Sequence, residues 1–153
     1  MKENIMELKK RSEFPENELW DLTALYKDRE DFLLAIEKAL QDVGLFQRNY
    51  EGKLTTAQDF TQALMEIEQI YIQMSHISTY AFMPQTTDFS DEAFAQIAQA
   101  GDDFMTKASV ALSFFDTALA NADLAVLDEL EKKSLFQRNY PHGENPKRAF
   151  AKP

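Results

Sequence analysis

The sequence predicts an all-α protein, an antiparallel helical bundle of about four helices, two of them long. Three observations predict it. Glycine and proline are scarce, four and five in 153 residues, and residues 53–82 and 102–140 contain neither. Those stretches are rich in Ala, Leu, Glu, Gln and Lys, which all favour the helix. Apolar residues recur there every three or four positions, the spacing that lines one helical face. A hydrophobic content of 44% is enough for a packed core. The length suits one domain, placed at residues 1–133, followed by an irregular basic tail at 134–153.

Residues 1–17 are polar and read as an entry arm. Leu19, Trp20, Leu22, Leu25 and Tyr26 then crowd apolar and aromatic groups into a short span. Such a cluster is expected to pin the arm onto the helical body, because aromatic rings bury a large area. The first long helix is predicted to start near Asp28. Phe32, Ile36, Ala39, Leu40 and Val43 form its stripe, and Gly44 is expected to end it. Leu45 and Phe46 follow as an apolar contact, and residues 49–53 read as a turn around Gly52.

The second helix has an explicit start. Thr56-Ala57-Gln58-Asp59 resembles a capping box in which the acid replaces the usual Glu or Gln. Its stripe is Phe60, Leu64, Ile67, Tyr71, Met74 and Ile77, and Pro84 is expected to stop it near Phe82. Residues 84–89 read as a connector. Ser90 is the expected N-cap of the third helix, with Asp91 and Glu92 in its first turn. Phe94, Ile97, Ala98, Gly101, Met105, Ala108, Leu112 and Phe115 keep one face. Its small members, Ala98, Gly101 and Ala108, would let another helix approach closely. Asn121-Ala122-Asp123 is the next break. Leu124, Leu127 and Leu130 then predict a shorter fourth helix ending near Lys132 and Lys133.

From Ser134 the character changes. Pro141, Gly143, Pro146 and Pro153 punctuate a tail containing Lys147, Arg148 and Lys152. Within it Leu135-Phe136-Gln137-Arg138-Asn139-Tyr140 repeats Leu45-Phe46-Gln47-Arg48-Asn49-Tyr50 residue for residue. The flanks differ, so this is no repeat architecture of fixed period.

Composition and motifs narrow the chemistry. There is no cysteine, which removes disulfides, thiolate metal sites and a cysteine nucleophile. Sixteen cations face 26 carboxylates, a net charge of −10, and no phosphate-neutralising face is evident, so no nucleic-acid partner is expected. An acidic surface could steer cationic peptides, although solubility explains it more simply. No stretch approaches the roughly 20 apolar residues of a membrane helix, and no signal-peptide core opens the chain. A soluble, cytoplasmic protein with no membrane partner is the default expectation.

Only two histidines occur, His76 and His142. His76 is followed by Ile77 and His142 by Gly143, so the His-Glu-x-x-His pattern of a zinc peptidase is absent. Gln73 and Asn139 stand three residues before them, so neither forms the Glu-x-x-His of a di-metal bundle. Ser75 and Ser78 flank His76, but a triad is a matter of geometry, not of spacing. The neighbouring acids Asp102-Asp103 and Glu66 with Glu68 point different ways on a helix and read as solvated. Met65, Met74, Met83 and Met105 read as core filling. The residues therefore nominate no catalytic and no metal-ligating position, leave substrate contacts unassigned, and call for no cofactor in this chain.

A family resemblance begins at Trp20. Leu19-Trp20-Asp21-Leu22-Thr23-Ala24-Leu25-Tyr26 resembles the Trp-Asp-Leu-x-x-Leu-Tyr element near the start of oligoendopeptidase F sequences, which are zinc metallopeptidases related to thimet oligopeptidase. Gly52-Lys53-Leu54, Tyr80-Ala81, Thr86-Thr87-Asp88 and Leu112-Ser113-Phe114-Phe115 follow in the same order. The likeness spans residues 15–133. It implies a helical N-terminal domain that packs on a larger catalytic domain and helps wall a channel for short peptides. The family's zinc ligands lie in that other domain, so no site residue carries over, and zinc is expected only in the full-length parent. The tail departs from the family, which continues helically, and this implies a truncated fragment. From the residues alone, the alternative is a stand-alone helical protein-interaction module. In either case an exposed apolar face would favour self-association.

Overall fold

A computed structural model describes residues 13–15, 20–88 and 90–132. Among the described residues a 3-10 turn at Leu22–Ala24 precedes four α-helices: α1 Arg29–Tyr50, α2 Ala57–Thr87, α3 Glu92–Ala120 and α4 Leu124–Lys132. Among the described residues there is no strand. The all-α bundle predicted from periodicity is what forms.

Inter-helix contacts fix the directions. Near the start of α1, Phe32 stacks on Tyr80 from the far end of α2, with ring centroids 4.8 Å apart. At the other end, Phe46 of α1 lies 5.9 Å from Phe115, near the end of α3. Arg29 donates to Gln96 at 3.1 Å, joining the starts of α1 and α3. So α1 and α3 run parallel and α2 runs antiparallel to both. At 1.5 Å per residue, α2 spans about 46 Å. The short α4 bends away from α3 by 101° and packs against α2.

The core runs the length of the bundle and includes no buried polar or charged residue among those described. Phe32, Phe46, Phe60, Phe104 and Ile77 are its largest fully buried side chains. Each contributes roughly 1.5–3 kcal/mol of burial. Two aromatic groups mark the ends. Tyr26, Phe32 and Tyr80 form one. Phe46, Tyr50, Phe60, Phe114 and Phe115 form the other.

Several boundaries differ from those expected. Helix α1 does not end at Gly44; it continues to Tyr50. Phe46 and Tyr50 lie on the same face as Phe32, Ala39 and Val43 and are buried with them, so core packing carries the helix past the glycine. The chain turns two residues later, where Gly52 adopts φ 72°, a conformation suited to glycine.

Helix α2 does not stop before Pro84 either; it runs one turn further, to Thr87. Pro84 is buried, which holds it in place although it lacks an amide donor. The carbonyls of this last turn find other partners: Thr86 Oγ1 donates to Met83 O and Thr87 Oγ1 to Pro84 O, both at 2.7 Å.

The cap of α3 is Asp91, not Ser90. Ser90 commits its amide and hydroxyl to Asp88 Oδ1, at 3.0 and 2.7 Å. Asp91 Oδ1 accepts the amides of Ala93 and Phe94. The predicted cap of α2 does form: Thr56 and Asp59 make a reciprocal capping box. The break at residues 121–123 and the fourth helix also form where expected.

The aromatic pin is Tyr26, which packs edge-on to Phe32 and Tyr80. Trp20 is 68% exposed, and Leu19 lies outside the described residues, as do Phe89 and the tail from residue 133 onward.

Candidate functional site

His76 is exposed on the outer side of α2, with Ser75 exposed and Ser78 half-buried beside it. His142 lies outside the described residues. Asp102 and Asp103 are both exposed, and Asp103 accepts from Gln99 at 2.8 Å. Among the described residues no group of three or more His, Asp or Glu side chains is placed to share a metal ion.

The features that do stand out are two grooves flanking α2. The first lies between α1 and α2 and encloses about 420 Å³. Leu45, Phe46, Met65 and Ile70 form its apolar lining, and Asp42, Glu66, Gln69 and Gln73 its polar part. Leu45 and Met65 are each half exposed, at 50% and 56%. Met65 is thus a groove-side residue, not the core filling expected of it, whereas Met74 is buried. Helix geometry explains the difference. Met65 lies next to Leu64 on the helix, off the buried stripe that runs through Phe60, Ile67, Ile70 and Met74.

Polar chemistry in this groove is specific. Gln73 Nε2 donates to Asp42 Oδ2 at 3.1 Å. That bond fixes the amide orientation, because the reverse would set two acceptors together. Its oxygen, Gln73 Oε1, is buried and has no hydrogen-bond partner. An unsatisfied buried acceptor costs on the order of 1–3 kcal/mol. At the α1 end, Tyr50 Oη donates to Glu66 Oε1 at 2.6 Å. Burial, reinforced by that bond and by the Glu66 and Asp59 charges, pushes the Tyr50 hydroxyl up to about 12.

The second groove lies between α2 and α3 and encloses about 390 Å³. Leu64, Ile67, Tyr71, Ile72 and Phe115 give it an apolar lining, with Glu68, Ser75 and Asp116 around them. Tyr71 is 45% exposed and departs from the buried stripe predicted for it; Ile72 is 44% exposed. Neither groove has a lysine or arginine in its lining. Both therefore present apolar surface framed by carboxylates, and neither was anticipated from the sequence. The available signal was the presence of apolar residues off the core stripe: Met65 and Ile72 stand seven apart, two turns along the outer side of α2.

No family model, curated protein or solved structure matches the chain. No single helix among the described residues is long and apolar enough to cross a membrane.

Proposed function

We propose that this chain is a non-catalytic helical docking domain, the N-terminal part of a zinc oligoendopeptidase of the oligoendopeptidase F type. Its role would be to pack against the catalytic domain and help wall the peptide channel. The ordered set of motifs from Trp20 to Phe115 supports the family reading. The observation that carries docking is the α1/α2 groove, where half-exposed Leu45 and Met65 leave apolar surface uncovered. A partner surface offering an apolar side chain would cover both. Zinc belongs to the partner domain in this reading, and short peptides reach the chain only in the assembled enzyme.

The test is titration of the full chain with a recombinant oligoendopeptidase F catalytic domain, followed by calorimetry. Saturable binding that Leu45→Asp and Met65→Glu each weaken at least tenfold is expected. Binding that ignores both substitutions would sink the groove assignment. Saturable binding to some unrelated protein, with none to the peptidase domain, would instead establish the stand-alone interaction module. Peptide turnover by this chain alone with added zinc would refute the non-catalytic claim.

A further inference from the structure

The two carboxylates of the α1/α2 groove are placed by neutral donors. Asp42 Oδ2 accepts from the Gln73 amide at 3.1 Å, and Glu66 Oε1 accepts from the Tyr50 hydroxyl at 2.6 Å. Each bond orients its carboxylate without cancelling a negative charge. No lysine or arginine lines the groove, and α2 carries none along its 31 residues. Apolar surface, from half-exposed Leu45 and Met65, thus lies beside two fixed negative groups.

Helix geometry orders these features along the groove. The bond to Gln73 sets Asp42 level with that residue, seven positions along α2 from Glu66. At 1.5 Å per residue the two carboxylates stand roughly 10 Å apart along the groove. Leu45 lies three residues past Asp42 on the antiparallel α1, in the direction of Tyr50, and so falls between them. The groove therefore reads negative, apolar, negative. A helix laid along it presents positions i, i+3 or i+4, and i+7 on one face, and i to i+7 also spans roughly 10 Å. Lys or Arg suits the outer two positions, because the aliphatic stem can lie on apolar surface while the charged head reaches the carboxylate. Net charge selects among occupants. A second copy of this chain, at −10, is repelled where a basic helix is attracted.

We propose that the α1/α2 groove receives an amphipathic helix of a partner protein that carries Lys or Arg at i and i+7 and an apolar residue at i+3 or i+4. The cations pair with Asp42 and Glu66, and the apolar residue covers Leu45. This is helix-in-groove recognition with charge at both ends of the contact. The inference rests on the reading of this groove as a docking face and adds the chemistry of what docks there.

The probes are three synthetic amphipathic peptides of about 15 residues, long enough to form the bound helix. They share one apolar pattern and differ only in carrying Lys, Gln or Glu at the two positions seven apart. Each is titrated into the full ¹⁵N-labelled chain. The Lys peptide is expected to bind about tenfold more tightly than the Gln peptide, and the Glu peptide not measurably. Amide shifts should centre on Leu45, Met65 and Gln69. Raising salt from about 0.05 to about 0.5 M should weaken the Lys peptide most. Asp42→Asn and Glu66→Gln, each with the helical circular dichroism of the parent, should each narrow the preference for Lys over Gln. Binding of none of the peptides, or of all three equally, would overturn the proposal. So would shifts confined to Tyr71, Ser75 and Asp116 on the other flank of α2. Two further outcomes separate this inference from the peptidase reading. Peptidase-domain binding that Leu45→Asp weakens but that neither Asp42→Asn nor Glu66→Gln alters would overturn the basic helix and leave docking standing. Selective binding of the Lys peptide, with none of the peptidase domain, would uphold the basic helix and refute that partner.

Discussion

Gly101 of α3 sits so close to Ala81 of α2 that a Cβ at Gly101 would lie 2.4 Å from the Ala81 Cβ. Both residues are buried, Ala81 with no exposure at all. Here the two longest helices approach closely, and the contact needs a residue without a side chain. Gly101→Ala sets two effects against each other. Helix propensity favours alanine by about 1 kcal/mol, while overpacking a tight contact costs roughly 1–3 kcal/mol. Ala81 is held from all sides, so the clash is expected to win and the urea midpoint to fall. In an Ala81→Gly background the same substitution should cost less, or become favourable. A higher midpoint for Gly101→Ala alone would show that the helices separate without penalty.

The start of α2 is set by Thr56 and Asp59. Asp59 Oδ2 accepts the Thr56 amide and hydroxyl, both at 2.8 Å, and Thr56 Oγ1 accepts the Asp59 amide at 3.2 Å. Removing the hydroxyl with Thr56→Ala should cost about 1 kcal/mol. These bonds, led by that from the Thr56 hydroxyl, hold the Asp59 carboxyl below its ordinary 3.8. A lowered folded-state value means the contribution is present above 3.8 and disappears as pH falls through the lower value. Asp59→Asn should therefore destabilise at pH 7, with the difference from the parent closing below about pH 4. Equal differences at pH 7 and pH 2.5 would rule out the ionised box.

Tyr50 predicts the opposite end of the pH scale. Its hydroxyl is raised from 10.0 to about 12, so the folded state resists ionisation that the unfolded chain undergoes. Stability associated with it is complete below pH 10 and is lost as pH rises from about 10 toward 12. Tyr26 and Tyr80 are raised too, mainly by burial, and add to the same loss. Tyr50→Phe should cost about 1 kcal/mol at neutral pH through the lost bond to Glu66. It should also flatten, without abolishing, the decline between pH 9.5 and 11.5. Denaturation midpoints across that range decide it, and an unchanged slope would place Tyr50 outside the alkaline transition.

How far the sequence specified this molecule is clearest at particular residues. The capping box at Thr56 was legible because its chemistry is local. The small residue at Gly101 was legible because a buried face at helical spacing implies a neighbour. The ends at Gly44 and Pro84 were misjudged for one reason. A breaker acts through local backbone preference, worth about 1–3 kcal/mol, and Phe46, Tyr50 and the buried Pro84 itself set tertiary packing of similar size against it. The grooves were not legible at all. They depend on which apolar side chains the neighbouring helices leave uncovered: Met65 and Ile72 differ from Leu64, Ile67 and Met74 in angle about α2, whereas Tyr71 shares their face and is still 45% exposed. Gln73 Oε1 was hidden for the same reason, since a glutamine at that spacing gives no sign that its oxygen is buried.

The N-terminal aromatic patch yields a last test, because its two prominent rings have opposite environments. Tyr26 is half-buried and packs against Phe32 at 5.7 Å and Tyr80 at 5.3 Å. Trp20 is 68% exposed. Each aromatic pair adds about 0.5–1.5 kcal/mol beyond its buried area, so Tyr26→Ala should cost about 2–3 kcal/mol. Trp20→Ala, at a ring that buries much less of its area, should cost less than Tyr26→Ala. Trp20 is the sole tryptophan, so emission offers an independent check. It should already lie near the water-exposed maximum in the native protein and move little on unfolding. A strongly blue-shifted native emission, together with a large cost for Trp20→Ala, would move the anchor of the N-terminal segment from Tyr26 to Trp20.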